Sequence, residues 1–279
     1  MKKKCKKYTL GLYEKAVPNC LELRQKLEMM RDNGFDFMEL SIDESAEKQS
    51  RLTWNKRERN YLSRLSAEIL PVTSICFSMQ RSFPMGSSDP VIRSRSMEAM
   101  EQTIEFAYDT GIRIIQLAGY DVYYEPSTSE TEKYFMQNLS IATAMAASRG
   151  VILGIETMEN DFINTVEKAM KYVEYVGSPY LGLYPDIGNI SNAVDNVPAD
   201  ILKGRGHMFS AHLKETKPGI YRNLMFGEGN VDFLGAAKAL RSIGVSRFTA
   251  EFWYSEGNPE PKLNYAKRFL SKVLDEAFK

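Results

Sequence analysis

Four residues whose side chains commonly bind divalent metals each stand at the end of a short apolar stretch. They close the segments GIE, LYPD, SAH and TAE, and are Glu156, Asp186, His212 and Glu251. Three carboxylates at one site would repel one another unless a cation balanced their charge. A divalent metal provides that charge directly, and the imidazole would add one nitrogen ligand. The residue types therefore predict an oxygen-rich metal site.

The ligand types also narrow the choice of metal. Three oxygens and one nitrogen favour zinc or manganese, with cobalt or magnesium as alternatives, and the set contains no thiolate. Each residue alone has an ordinary structural explanation, because acidic residues after strands often cap helices or turns and a lone histidine often only forms hydrogen bonds. The metal prediction depends on the four occurring together. The other histidine, His207, precedes its strand, where we expect a structural role.

The elements that would position these residues recur along the chain as an amphipathic helix, a glycine and a short strand. The strands are near-continuous apolar runs, which is typical of parallel strands buried on both faces. The glycines suit helix C-termini, where the chain often turns through positive φ; they are Gly34, Gly111, Gly150, Gly177 and Gly244. The eight predicted strands lie in YTLGLY, FDFMELSID, VTSICFS, IRIIQLAG, VILGIETM, SPYLGLYPD, MFSAHL and VSRFTAEFW.

Eight such units with no low-complexity linker predict an α/β protein with a single (β/α)8 TIM barrel over residues 1–279. Residues 1–7 are expected to form a frayed basic terminus. The shortest helix is predicted around Pro198 to Lys203. A doubly wound open sheet is the structural alternative. In a barrel the C-terminal ends of the strands converge, so the four candidate ligands would meet there.

The composition disfavours several classes of partner. Lys plus Arg and Asp plus Glu both number 36, so the net charge is zero, whereas proteins that mainly bind nucleic acid usually carry a basic surplus. No apolar run approaches the roughly 18–20 residues of a membrane span. Three widely spaced cysteines indicate no disulfide framework. We therefore expect a cytoplasmic protein with neither a nucleic acid nor a membrane as partner.

Several longer segments resemble those of a known enzyme family. The chain is similar from end to end to the bacterial L-ribulose-5-phosphate 3-epimerases, also called L-xylulose-5-phosphate 3-epimerases, of the xylose isomerase-like barrel superfamily. The likeness is carried by GFDFMELSIDE, GIRIIQLAGYDVYYE, LYPDIGN, HLKETKPG and FGEGNVDF. It implies that Glu156, Asp186, His212 and Glu251 hold the metal, and that the two glutamates are also the catalytic acid/base pair. It further implies a phosphorylated ketopentose substrate, a role in L-ascorbate or pentose breakdown, and a homodimer.

The expected reaction interconverts L-ribulose 5-phosphate and L-xylulose 5-phosphate. Inverting a carbon next to a ketone requires removal of its proton from one face and return of a proton to the other. The intermediate enediolate would be stabilised by the metal. Glu156 and Glu251 end the fifth and eighth predicted strands, so they can lie on opposite sides of the substrate.

Other functions remain compatible with the same barrel. An aldose–ketose isomerase, a free-ketose 3-epimerase and a non-catalytic sugar-phosphate-binding barrel are the alternatives. A metal-dependent repair endonuclease is disfavoured because the chain has only two histidines and no net charge.

The residues that would bind the phosphate and the sugar are less sharply indicated. Phosphate sites in barrels often use the last two loops, and the loop after the seventh strand is long and basic. The candidates there are Lys214, Lys217 and Arg222, with Arg81 and Ser87 after the third strand as competitors. Tyr120 and Tyr123 are candidates for walls of the sugar site. For each cation the alternative is a solvated surface charge, and for the tyrosines it is packing on the rim.

Overall fold

The structure is a computed structural model that describes residues 6–279, in which eight strands form one sheet. They are β1 (Thr9–Tyr13), β2 (Met38–Ile42), β3 (Val72–Phe77), β4 (Ile114–Ala118), β5 (Ile152–Glu156), β6 (Leu181–Leu183), β7 (Ala211–Leu213) and β8 (Arg247–Ala250). Each lies within a segment that the sequence predicts to be a strand.

The helices occupy the segments between the strands. They are α1 (Leu23–Asp32), α2 (Ala46–Gln49), α3 (Lys56–Glu68), α4 (Pro90–Thr110), α5 (Ser129–Ser148), α6 (Val166–Val176), α7 (Ile187–Ser191), α8 (Val197–Leu202), α9 (Phe233–Ser242) and α10 (Glu260–Ala277). Short 3₁₀ turns span Glu14–Ala16, Ser50–Thr53 and Ser78–Arg81. The predicted short helix is α8, and α7 is an additional helix that begins directly after Asp186.

The pairing of the strands confirms the barrel and rules out the open sheet. Strands β1 to β6 pair in chain order, β1 also pairs with β8, and β8 pairs with β7, all in parallel. The ring closes between β6 and β7 through two parallel bridges, Leu183 to Met208 and Asp186 to His212. The two predicted metal ligands of the second bridge therefore lie at the seam of the barrel.

The apolar runs of the strands become the core because both of their faces are covered. All five residues of β2 are buried, and the inner faces of the helices pack on the outer surface of the sheet. Local sequence sets the ends of the helices. Asp89 caps α4 ahead of Pro90, and Gly111 ends that helix at a φ of 80°, a conformation that disfavours a residue with a Cβ.

Part of the predicted frayed terminus, residues 1–5, lies outside the described residues. Lys7 Nζ donates a hydrogen bond to the carbonyl of Phe278 at 2.7 Å, and Lys6 pairs with Asp36. Between residues 6 and 279, no helix has both the length and the apolar character that a membrane span requires.

A buried carboxylate beside the mouth of the barrel, Glu14, contacts three cations. Its oxygens lie 2.9 Å from Lys26 Nζ, 2.8 Å from Lys48 Nζ and 2.5 Å from Arg51 Nη1. The backbone N–H of Ser41 also donates to it at 2.9 Å. Burial opposes ionisation of Glu14, but the surrounding cations outweigh it and hold its pKa well below the usual range. The cluster ties α1, α2 and the turn after α2 to the ends of β1 and β2.

Replacing this carboxylate is expected to destabilise the barrel strongly. Glu14→Gln removes the counter-charge that three buried cations share, and removal of one partner from a buried ion pair typically costs about 3–5 kcal/mol. The free energy of unfolding, from urea titration followed by circular dichroism, measures the loss. Glu47→Gln is the matched control, because Glu47 contacts the same Lys48 but has a side chain that is 61% exposed. A control change above about 0.5 kcal/mol, or a Glu14→Gln change below it, would contradict this account.

Candidate active site

The four residues predicted to bind a metal come together at one end of the barrel. Glu156, Asp186, His212 and Glu251 are all buried, and each offers one ligand atom within 4.8 Å of the others. Glu156 is the last residue of β5, His212 lies within β7, and Glu251 directly follows β8. The convergence of parallel strand ends thus assembles the cluster from three strands and the loop after β6.

Asp186 serves two purposes at once. It is the N-cap of α7, where its Oδ1 accepts a hydrogen bond from the backbone N–H of Asn189 at 3.1 Å. The structural explanation of this aspartate, as a helix cap, is therefore correct. Its other oxygen, Oδ2, points into the cluster and lies 2.5 Å from Lys214 Nζ.

The imidazole of His212 has a defined orientation. Its Nδ1 lies 2.7 Å from Glu156 Oε1 and 3.0 Å from Glu251 Oε2. Its Nε2 points the opposite way, to Glu39 Oε1 at 2.5 Å. Burial opposes protonation of His212, but the surrounding carboxylates outweigh it and raise its pKa well above the usual value. By these distances, Nδ1 is the nitrogen that faces Glu156 and Glu251.

Glu39 is a residue of the site that the sequence prediction missed. It lies in β2 and is fully buried. Tyr184 and Ser74 donate hydrogen bonds to its Oε2, at 2.7 Å and 2.8 Å. Burial opposes its ionisation, but the charge of His212 and these hydrogen bonds lower its pKa. One feature of the sequence could have indicated this residue, namely a glutamate inside the apolar strand segment FMELSI. A charged residue is rarely buried without a partner, so a glutamate in such a strand is a candidate for a functional site.

The surroundings shift the proton affinities of the three carboxylates in different directions. Burial raises the pKa of Glu156, although the neighbouring His212 opposes the shift. Burial also raises the pKa of Asp186, to about 7, against the opposing charge of Lys214. For Glu251 the charges of Lys214 and His212 outweigh burial, so its pKa is well below the usual range. The cluster thus contains more carboxylates than its own cations fully stabilise.

The cluster fits a divalent metal. Carboxylate oxygens and one imidazole nitrogen are a donor set that zinc and manganese accept. Glu251 Oε2 is buried and has no hydrogen-bond partner within residues 6–279, which leaves a ligand lone pair unused. The Nδ1 of His212 also points at the centre of the carboxylates. Gln116, on β4, holds the remaining oxygen of Glu156 by a hydrogen bond from its Nε2.

A small cavity of about 70 Å³ opens above the cluster. Glu156 and Glu251 line it, with exposed fractions of 5% and 6%, whereas Asp186 and His212 are 0% exposed. The remaining wall is mixed cationic and aromatic, and includes Lys15, Arg81, Lys214, Arg222, Tyr13 and Trp253. Of these, Lys15, Tyr13 and Trp253 were not predicted from the sequence.

The predicted phosphate-binding residues fall at different depths. Lys214 is buried against Asp186 at the floor of the cavity, and Arg81 and Arg222 line its wall. Ser87 is fully buried, where its hydroxyl accepts a hydrogen bond from the backbone of the loop before α4. Lys217 lies in a turn, with its backbone paired to Ile220, and does not line the cavity.

The two predicted tyrosines contact Arg81. Arg81 Nε donates to the hydroxyl of buried Tyr120 at 3.0 Å, and its guanidinium lies 5.4 Å from the ring centroid of Tyr123. Arg222 packs on Trp253 and lies 3.6 Å from a carboxylate oxygen of Glu159. The tyrosines therefore position an arginine of the cavity wall.

His207 lies away from the cluster. It is exposed, and its carbonyl accepts the backbone N–H of Leu183 at 2.7 Å, next to the first bridge of the barrel seam. The side chain of His207 is therefore not part of the candidate metal site.

Comparison with known proteins identifies the family. A model of the xylose isomerase-like TIM barrel matches residues 27–273. The chain belongs to that family. A curated relative, L-ribulose-5-phosphate 3-epimerase UlaE from Escherichia coli O157:H7 (strain EC4115 / EHEC), is 40% identical over 264 residues, which cover 94% of this chain and 93% of the relative. The resemblance read from the sequence is thereby confirmed, and this member of the xylose isomerase-like family is an enzyme of the isomerase class.

Solved structures share the fold of this xylose isomerase-like barrel at low sequence identity. The structure of an L-ribulose 3-epimerase superposes with a TM-score of 0.79 at 20% identity, covering 97% of this chain and 95% of the other. A second structure, of the IOLI protein with a binding zinc atom, has a TM-score of 0.80 at 18% identity and covers 97% and 99%. These likenesses concern the fold.

The presence of only two histidines allows a clean test of the metal site. Because His212 supplies the only nitrogen of the cluster, His212→Ala is expected to abolish stoichiometric zinc or manganese in protein purified without chelators, as measured by elemental analysis. His207→Ala is the matched control and should retain the metal of the wild type. Far-UV circular dichroism checks that both variants are folded. Full metal content in His212→Ala would contradict the assignment of the cluster.

Proposed function

We propose that this protein is a metal-dependent 3-epimerase that interconverts L-ribulose 5-phosphate and L-xylulose 5-phosphate. Two independent observations support the proposal. The curated relative with 40% identity is named as an L-ribulose-5-phosphate 3-epimerase and matches along nearly the whole chain. The end of the barrel also holds a buried cluster suited to a metal, beneath a cavity with two carboxylates in its wall.

The observation that carries the mechanism is the unequal exposure of the four cluster residues. Glu156 and Glu251 reach the cavity, whereas Asp186 and His212 are fully enclosed. Of these four residues, only the two glutamates can therefore touch a substrate in the cavity. We assign Asp186 and His212 to holding the metal, and Glu156 and Glu251 to both metal binding and proton transfer.

The positions of the two glutamates support inversion by two bases. They come from the ends of β5 and β8, and one carboxylate oxygen of each lies within 3.0 Å of His212 Nδ1. One glutamate would remove the C3 proton from one face of the ketose, and the other would return a proton to the opposite face. A divalent metal bound by the cluster would supply Lewis-acid stabilisation of the negative charge that develops on the substrate oxygens. Zinc or manganese is the proposed ion, with cobalt or magnesium as alternatives.

The phosphate is assigned to the cationic wall of the cavity, with Arg81 as its main ligand. Arg81 forms no salt bridge within residues 6–279, and its Nε is held by Tyr120, so the two terminal nitrogens are available as a fork. Arg222, also in the wall, is partly balanced by Glu159. A phosphate bound by an unpaired arginine gains more than one bound by a cation that must first leave a carboxylate.

The wider biological setting follows from the same assignment. We propose a cytoplasmic homodimer that acts in the breakdown of L-ascorbate or of pentoses. The support is the likeness to the L-ribulose-5-phosphate 3-epimerase family.

The assignment of two bases predicts a reciprocal isotope pattern. In deuterated water the wild type should place deuterium at C3 of the product, whereas an aldose–ketose isomerase would label C1 or C2. Glu156→Gln and Glu251→Gln should each lose epimerisation by about 10²–10⁴ in rate. Each variant should still exchange the C3 proton of one epimer only, a different one in each case, as followed by proton NMR.

Metal content must be measured first in both variants, because each substitution removes a ligand. If metal-loaded variants exchanged the same epimer, or continued to epimerise, the two-base assignment would be wrong. Label at C1 or C2 alone would favour the isomerase, and no exchange by the wild type would favour a non-catalytic barrel.

The phosphate assignment predicts a selective loss of substrate affinity. Arg81→Ala should raise KM for the 5-phosphate about 10- to 150-fold, the equivalent of a hydrogen-bonded charge contact. Turnover of free L-ribulose or L-xylulose should change little. Lys217→Ala is the comparison, because Lys217 lies outside the cavity and should have the smaller effect. Equal handling of free and phosphorylated ketoses by the wild type would instead identify a free-ketose epimerase.

A further inference from the structure

We propose that Glu39 is a positioning residue that holds His212 with its Nδ1 directed at the metal. The inference depends on the metal site assigned under the proposed function. Glu39 is fully enclosed and does not line the cavity, so it cannot contact a substrate there. Its effect on the reaction must therefore pass through His212.

The first step of the argument concerns the proton on the imidazole. A neutral imidazole carries one N–H and one lone pair, and the hydrogen bond of one nitrogen decides which nitrogen is left as the ligand. Glu39 Oε1 lies 2.5 Å from Nε2 and, as a carboxylate, can only accept. An imidazole that binds a metal is neutral, so in the metal-bound protein Glu39 would hold the proton on Nε2 and leave the lone pair on Nδ1. That nitrogen faces Glu156 and Glu251.

The second step is that Glu39 is itself held in place from several strands. Its other oxygen accepts hydrogen bonds from Ser74 on β3 and from Tyr184, which follows β6. The Tyr184 hydroxyl lies 2.7 Å from Thr249 Oγ1 on β8. Contacts from β3 and from the end of β6 thus fix the carboxylate, β8 holds one of the two donors, and a fixed carboxylate can orient the ring that it contacts.

The third step concerns charge. Within residues 6–279, His212 is the only salt-bridge partner of Glu39. A glutamine could accept the hydrogen bonds of Ser74 and Tyr184 with its amide oxygen, so these contacts do not by themselves require a carboxylate. Its amide nitrogen, which can only donate, would then face Nε2 of His212. What the negative charge adds is a stronger interaction with the Nε2 proton, which makes Nδ1 more electron-rich. Carboxylates that contact metal-binding histidines act on metal affinity in this way.

The test compares zinc affinity in Glu39→Gln and in the wild type. Glutamine keeps the shape of the side chain but removes the charge, and loss of such a contact typically weakens metal binding about 10- to 100-fold. The dissociation constant of zinc is measured by competition with a chromophoric chelator. Asp200→Asn is the matched control. Asp200 is also a buried carboxylate, but it accepts hydrogen bonds from the backbone at the start of α6, away from the cluster. The control should bind zinc like the wild type.

A second measurement needs no variant. Because the chain has only two histidines, ¹⁵N-histidine NMR resolves His212 from the exposed His207. In the zinc-loaded wild type we expect the proton on Nε2 of His212 and the zinc-dependent shift on Nδ1. Zinc on Nε2, or a proton on Nδ1, would overturn the inference even if Glu39→Gln failed to fold.

The outcomes separate this inference from the function on which it depends. If the wild type bound no zinc, manganese, cobalt or magnesium, the metal site would be wrong and the inference would fall with it. If the wild type bound zinc and Glu39→Gln bound it equally well, only the role of Glu39 would be wrong. A weakening shared by Asp200→Asn would indicate a general loss of stability, and would likewise refute a specific role.

Discussion

A concentration of buried negative charge at the mouth of the barrel is the constraint on which the site depends. Four buried carboxylates share the positive charge of only two neighbouring side chains, His212 and Lys214. The carboxylates are those of Glu39, Glu156, Asp186 and Glu251. Burying a charge is costly unless a partner is close. The hydrogen bonds and ion pairs among these side chains reduce that cost, and a divalent cation would complete the balance. The cluster is therefore understood best as one electrostatic unit.

The same cluster lies at the seam that closes the barrel. Strands β6 and β7 meet through isolated bridges, one of which joins Asp186 to His212. The backbone N–H of His212 donates to the carbonyl of Pro185 at 2.9 Å, and Thr157 at the end of β5 donates through its hydroxyl to the carbonyl of Asp186 at 3.2 Å. Two residues of the candidate metal site therefore also take part in closing the ring.

Gly154 leaves room for Tyr184, which contacts both His212 and Glu39. A Cβ at Gly154 would come within 3.0 Å of the Cβ of Tyr184, so glycine there leaves room for that side chain on the neighbouring strand. The Tyr184 ring then packs 4.9 Å from that of His212, and its hydroxyl reaches Glu39. The candidate site accordingly has an enclosed part and a part that faces the cavity. The enclosed part contains Glu39, Tyr184, Asp186 and His212, and the part that faces the cavity contains Glu156 and Glu251.

The sequence by itself determined the eight strands and the four residues of the cluster. Each strand is recognisable from a local apolar run, and the ends of the strands in a parallel barrel converge. The segments GIE, LYPD, SAH and TAE were therefore enough to predict that their last residues lie close together. Only the tertiary structure decided that Glu39 contacts His212 and that Lys214 lies against Asp186. It also decided that Arg81 lines the cavity without a salt bridge to any of residues 6–279. The reason is physical. Glu39 and His212 are 173 positions apart, and a buried strand is apolar on both faces, so its local pattern does not show which side chains point inward. That direction is set by strand register and by closure of the ring.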